Sequence, residues 1–267
     1  MIGSIFNTIF LQPILNLLVW LYLVVPGQDI GIAIILLTII IKLLLYPLTH
    51  LQIKQQRAMQ EIQPKIEEIR KRLKDDKEAQ AKELMAMYQK EKVNPASSCL
   101  PLLVQLPVFI GLYHALSVGL NSQSLDLLYP FVANPGHINS TFLGLFDLIK
   151  PNYVLAILAG GVQFFQTRNI LKPPAATVTQ PPKEVQGSKG AKDEGMAAIM
   201  NKQMTYVMPV VTVVIGFSLP GGLTLYWLVM SLLTLIQQLV VMKKIPPRLE
   251  PQLQASAENT PENPGKN

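Results

Sequence analysis

An apolar stretch at residues 30–48 is broken only by Thr38 and Lys42. Four residues apart, they share one face of a helix. If the stretch crosses a bilayer, Lys42 lies about 9 Å inside its end at residue 48. An ammonium group at the centre of a spanning helix costs roughly 2.5–3.5 kcal/mol, so it needs either an exit or a use. Two readings are open. The long side chain can snorkel to the headgroups, or Lys42 can be the positive charge of a hydrophilic groove inside the membrane. The other apolar stretches favour the groove, because they carry Gln105, Gln163, Gln166, Gln237 and Gln238. Such groups cost less when they share one wet cavity than when each faces lipid. Tyr226 and Trp227 stand near the outer start of the last stretch, where an interfacial aromatic belt is the plain alternative.

Other kinds of chemistry find no support. His50, His114 and His137 lie in separate segments, and none has a metal-binding spacing. The single cysteine, Cys99, opens an apolar run and reads as a small buried residue. There is no glycine-rich phosphate loop. No catalytic residue, metal or cofactor is therefore expected, and the chain is expected not to be an enzyme. No Asp or Glu falls within an expected span, which argues against a proton-coupled transporter. No inverted repeat is detectable, which argues against the common transporter folds.

The elements that must hold these residues follow from hydropathy and charge. Of 267 residues, 49% are apolar and 15% charged, against about 25% charged in an ordinary soluble domain. The expected fold is all-α and polytopic, with five transmembrane helices at residues 30–49, 98–118, 153–171, 204–219 and 223–242, each near the roughly 20 residues a bilayer demands. Lys and Arg concentrate in residues 50–95, 172–203 and 243–267, while residues 1–29 and 220–222 have none and 119–152 only Lys150. That alternation puts the N-terminus outside and the C-terminus in the cytoplasm. Residues 1–29 are interrupted by Asn7, Thr8, Gln12 and Asn16. They read as an interfacial amphipathic helix rather than a sixth span. No basic n-region precedes them, so no signal peptide is expected.

Residues 50–95 read as a cytoplasmic helical hairpin. Ile62, Ile66, Ile69 and Leu73 form one stripe, and Leu84, Met85 and Tyr88 another. Lys74, Asp75, Asp76 and Lys77 supply the turn, with Asp75 or Asp76 placed to cap the second helix. Asn94-Pro95 ends it. Eleven basic and eight acidic residues share this segment, so a merely solvated hairpin is also open. The outer loop is expected at 119–152. The 172–203 segment, rich in Pro, Lys, Gly and Thr, and the 243–267 tail read as disordered.

Several short motifs then coincide. They are Lys42 with Tyr46, Pro47 and Thr49; Gln63-Pro64-Lys65-Ile66; Glu91-Lys92-Val93-Asn94-Pro95; and Gln105, Pro107 and Phe109. Met208-Pro209-Val210, Pro220-Gly221-Gly222-Leu223, Tyr226-Trp227 and Ile236-Gln237-Gln238 complete the set. Together, over about residues 12–242, the chain resembles the YidC/Oxa/Alb membrane protein insertases. The resemblance implies a five-helix core, an interfacial helix before the first span and a cytoplasmic hairpin after it. It implies a short form without a large outer domain, multi-pass in the bacterial inner membrane. A substrate's hydrophilic tail would enter a polar groove closed on the outer side, while its apolar segment slides along the third and fifth spans into lipid, without nucleotide hydrolysis. The hairpin would meet substrate first. The implied partners are nascent membrane proteins and the bilayer, with a Sec-type translocon and the ribosome as further candidates and no nucleic acid read directly. A folding and assembly chaperone acting with a translocon is the alternative.

By position, the resemblance places Lys42 where the family's groove arginine usually lies. It places Thr38, Tyr226 and Trp227 among groove-lining or substrate-contacting positions; Gln105 and Gln163 join them by polarity alone. Lysine for arginine exchanges a planar fork for a point charge. Trp227 stands where tyrosine is common.

Overall fold

A computed structural model describes residues 6–94, 100–120, 127–170 and 206–244. Cys99, Pro95, the 172–203 linker and the tail beyond residue 244 lie outside the described residues. The elements are almost all helical. A π-helical turn at Asn7–Leu11 leads into α1 (Gln12–Val24), followed by α2 (Ile30–Leu44), α3 (Tyr46–Glu61), α4 (Gln63–Arg72), α5 (Lys77–Lys90) and α6 (Leu100–Leu120). A two-stranded hairpin, β1 (Thr141–Phe142) and β2 (Phe146–Asp147), precedes α7 (Tyr153–Ile170), α8 (Met208–Gly216) and α9 (Gly221–Lys244).

By length and composition, two described helices can cross a membrane: Asn7–Val24 and Gly221–Lys243. A third candidate is the pair α2 and α3, bent by 68° between them. Leu103–Ser117 is apolar but shorter. The bend has a local cause. Pro47 has no N–H to give and its ring crowds the carbonyl four residues back, so the first helix stops at Leu44. The chain then restarts with Pro47 in the first turn of α3, where a missing N–H costs nothing. The expected first span at 30–49 is thus a straight helix plus the first turn of a second.

One apolar core joins α1, α2, α6 and the start of α9. Leu15, Leu18 and Val19 of α1, Ala33, Ile34 and Leu37 of α2, Leu112 and Leu116 of α6, and Leu223 of α9 are buried in it. Asp29 opens α2, its Oδ1 accepting from the amides of Gly31 and Ile32 at 2.8 and 3.1 Å, which satisfies donors that a helix start leaves free. Helix α9 packs on α2, α3, α6 and α7, and α8 packs on α7.

A second, smaller cluster holds the base of the hairpin: Ala58, Ile62, Ile66 and Val93, with Leu84, Met87 and Tyr88 against it. The hairpin proper is α4 and α5, while α3 runs as one helix from the bend to Glu61. Asp76, not Asp75, caps α5, accepting from the Ala79 amide at 2.9 Å. Met85 is exposed, and Met87 takes the place expected for it. Leu84, Met87 and Tyr88 follow the three-and-four spacing of one helix face, whereas position 85 is about 100° away from 84.

Adjacent glycines on α7 have opposite surroundings. A Cβ on Gly160 would lie 2.4 Å from Val213 Cγ2 and 3.0 Å from the Pro209 carbonyl oxygen of α8, while one on Gly161 would meet nothing within 4 Å. The close approach of α7 and α8 therefore depends on Gly160. Gly160→Ala is expected to destabilise the protein by about 1–3 kcal/mol through overpacking. Gly161→Ala should stabilise it by up to about 1 kcal/mol through helix propensity. Thermal unfolding of both variants in detergent checks the pair, and equal shifts of one sign would show that the α7–α8 crossing is looser than this.

Candidate functional site

Polar side chains on α9 make a stripe. Tyr226, Thr234, Gln237 and Gln238 recur at spacings that keep them on one side of the helix. Each of the first three is joined to a different helix. Tyr226 is buried and its hydroxyl is hydrogen-bonded to the Gln105 side-chain amide of α6. Thr234 Oγ1 accepts from Lys42 Nζ of α2 at 2.9 Å. Gln237 Nε2 donates to Thr49 Oγ1 of α3 at 3.0 Å.

Lys42, in the last turn of α2, meets α9 at Thr234. It is 7% exposed. Among the described residues no carboxylate pairs with it, and its hydrogen-bond partner is the neutral hydroxyl of Thr234. A buried cation without a counter-ion is costly, and it remains a ready partner for an anionic group brought from outside. Thr38, one turn back on the same face, is fully buried, and its hydroxyl donates to the Ile34 carbonyl at 2.6 Å. It adds polarity to the face while keeping its proton within its own helix.

The remaining expected residues are placed as follows. Trp227 packs edge-on against Phe109 of α6, with ring centroids 5.9 Å apart. Gln163 lies elsewhere: its Oε1 accepts from Thr212 Oγ1, bridging α7 and α8. The hairpin residues Lys74 and Asp75 lie in the exposed turn before Asp76 and Lys77. Thr234 is a contact that the sequence reading missed, and Thr49 entered it only as part of a motif. Thr234 stands two turns after Tyr226, so a search for polar residues at i+8 along the last helix would have found it.

Below the stripe, α3 closes over the end of α9. Arg57 Nη1 donates to the Met242 carbonyl, one of the last four that a helix leaves without a partner. Its Nε pairs with Glu61 at 3.2 Å, and the Glu61 side chain is only 3% exposed.

The family described as 60Kd inner membrane protein matches residues 20–248, which is most of the chain. The protein belongs to that family. A relative from Fusobacterium nucleatum subsp. nucleatum named "Membrane protein insertase YidC" is 35% identical over 216 residues, covering 81% of this chain and 87% of its own length. Relatives of the same name from Nitratidesulfovibrio vulgaris and Geobacter metallireducens are 36% and 35% identical, covering 87% and 88% of this chain. The match takes in only 38% and 37% of those two longer proteins. Members of the 60Kd inner membrane protein family are multi-pass proteins of the bacterial inner membrane, and the apolar helices of this chain fit that setting. The motifs around Lys42, Gln105 and Tyr226 all fall inside the matched region.

Proposed function

We propose that this protein inserts other membrane proteins into the bacterial inner membrane, using Lys42 as the charge that receives a substrate's hydrophilic tail. The observation that carries the reading is a buried lysine bonded to a neutral hydroxyl and, among the described residues, to no carboxylate. An acidic tail entering from the cytoplasm exchanges the Thr234 contact for an ion pair in a low-dielectric setting. That exchange lowers the desolvation cost of carrying polar groups through hydrocarbon. The membrane potential then draws the acidic tail outward, at about 2.3 kcal/mol per charge per 100 mV. No nucleotide enters the scheme. The name borne by the relatives supports the same reading.

In this proposal five spans cross the bilayer: α2 with the first turn of α3, α6, α7, α8 with the residues before it, and α9. The N-terminus is outside and the basic segments are in the cytoplasm. The N-terminal helix lies along the outer interface. Its support is that α1 touches the 127–140 loop at Asn16 and again at Tyr22. Asn16 Nδ2 donates to the Leu127 carbonyl at 3.0 Å, and the Tyr22 hydroxyl accepts from the Asn139 amide at 3.0 Å. Thr38, Gln105, Tyr226 and Trp227 line the path of the tail, Gln163 holds α7 to α8 beside it, and the hairpin turn at Lys74, Asp75, Asp76 and Lys77 meets substrate first.

The test is insertion of a single-span protein with a short acidic N-tail into proteoliposomes holding only this protein, read by protease protection. Protection well above empty liposomes is expected. Background-level protection with folded protein present would move the assignment to a folding chaperone that needs a translocon.

A further inference from the structure

Three apolar side chains of the outer loop have little protein to pack on. Phe131 is 80% exposed, Leu145 77% and Leu143 59%. Leu143, Gly144 and Leu145 form the three-residue turn between β1 and β2, closed by the Leu145 amide donating to the Phe142 carbonyl at 3.0 Å. Leu143 has φ +52° and Gly144 φ +70°. Glycine and asparagine enter that region readily, but a bulky side chain does so rarely. A leucine there, beside a second exposed leucine, is unfavourable both for the backbone and for contact with water.

The loop is nevertheless fixed, and at a defined level. The Leu143 amide donates to Asp29 Oδ2 at 2.6 Å, and Asp29 is the N-cap of α2. Phe142 lies so close to Gly31 that a Cβ there would fall 2.1 Å from its ring. The amides of Gly221 and Gly222, in the first turn of α9, donate to the carbonyls of Lys150 and Leu148 at 3.0 and 2.9 Å. The hairpin thus rides at the outer ends of α2 and α9. Tyr153 and Phe217, edge to face at 5.0 Å, mark the same ends of α7 and α8, as an interfacial aromatic pair does. From Ile149 the exposed apolar surface continues through Tyr153, Val154, Ile157 and Leu158 down α7.

We propose that the Leu143–Leu145 tip, together with Phe131, inserts into the headgroup–acyl boundary of the outer leaflet. The occupant is lipid because the hairpin is fixed at the level of the ends of α2 and α9, where the exposed apolar face of α7 begins at Tyr153. Lys150, whose side chain is 80% exposed and pairs loosely with Asp147 at 3.7 Å, follows the patch. The insertion holds the hairpin, and with it the ends of α2 and α9, at a fixed depth. The inference rests on the reading that α7 and its neighbours span the bilayer.

The test uses the full chain with Cys99→Ser, in vesicles of phosphatidylethanolamine and phosphatidylglycerol. An environment-sensitive dye is attached to a single cysteine at Leu145→Cys, Ile157→Cys or Lys82→Cys. Quenching is read with nitroxides at shallow or deep lipid positions and with iodide on both faces. The dye at 145 is expected to be quenched about twofold more by the shallow than by the deep nitroxide and to be protected from iodide relative to 82. Iodide quenching at 145 equal to that at 82, with no nitroxide quenching, would overturn the proposal. Protection at 145 that vanishes when the protein is diluted in lipid would also overturn it, in favour of a second copy of the chain. Nitroxide quenching at 157 but not at 145 would sink the loop assignment alone, whereas failure at 157 as well would remove the spanning reading beneath it.

Discussion

Lys42→Met is expected to cut the insertion of substrates with acidic tails by up to roughly 100-fold, while the folded protein becomes no less stable. The size follows from Coulomb's law. A carboxylate about 6 Å from the ammonium, at an effective dielectric of about 20, gains close to 3 kcal/mol. The stability half follows from the partner. Thr234 also donates to the Met230 carbonyl of its own helix at 2.7 Å. Losing Lys42 therefore leaves no buried hydroxyl without a bond, and the cost of burying an unpaired charge disappears. Lys42→Arg should keep most of the insertion, since the charge is retained. Substrates with neutral tails should respond little to either change. The check is protease protection in proteoliposomes beside thermal unfolding in detergent, over the three proteins and the two tail types. Equal insertion of acidic tails by all three would reduce Lys42 to an anchor. A fall that tracks lost stability would make it structural.

Lys42 was legible in the sequence because a charge in an apolar run is conspicuous against the cost of putting it there. Gln105 and Gln237 were legible for the same reason. Their partners were not. A threonine in a membrane helix ordinarily bonds its own backbone one turn back, as Thr38 and Thr234 both do. Nothing in the sequence therefore announces that Thr234 also accepts from Lys42. Polarity grouped Gln163 with the others, yet it serves the α7–α8 crossing. Composition says that a polar residue at depth has a partner, and only packing says which.

The bend after Leu44 could be anticipated from Pro47, because a missing N–H acts locally. The β1–β2 hairpin could not. Its strands have two residues each, and its turn is Leu-Gly-Leu instead of the Asn-Gly or Asp-Gly that signals a tight hairpin. It is held by Asp29, Gly221 and Gly222, which are far away in sequence. The stripe expected on α5 fails at Met85, whose place Met87 takes, since a narrow stripe in a highly charged segment leaves the helix face loosely fixed. Relatives at about 35% identity confirm the family. They leave the placing of each side chain to the physics of this chain.

Arg57 is where the hairpin base and the last helix are expected to be energetically coupled. Arg57→Met should destabilise the protein by about 1–3 kcal/mol, because it removes one hydrogen-bonded charge partner of a carboxylate that is nearly sealed from solvent. It also frees the Met242 carbonyl at the end of α9, where a positive group suits the helix dipole. Glu61→Leu alone should cost less, since Arg57 keeps the Met242 carbonyl. The double variant Arg57→Met with Glu61→Leu should recover much of the loss, because apolar groups of similar size do not leave a buried charge behind. A double-mutant cycle on unfolding in detergent measures the coupling, expected above about 1 kcal/mol for groups in direct contact. Additive single effects would show that the pair is an incidental surface contact. Coupling of the expected size would mean that the base of the hairpin and the C-terminal end of α9 are energetically linked. On the proposed function, a substrate tail arriving at the hairpin would then also act on the helix that carries Tyr226, Thr234 and Gln237.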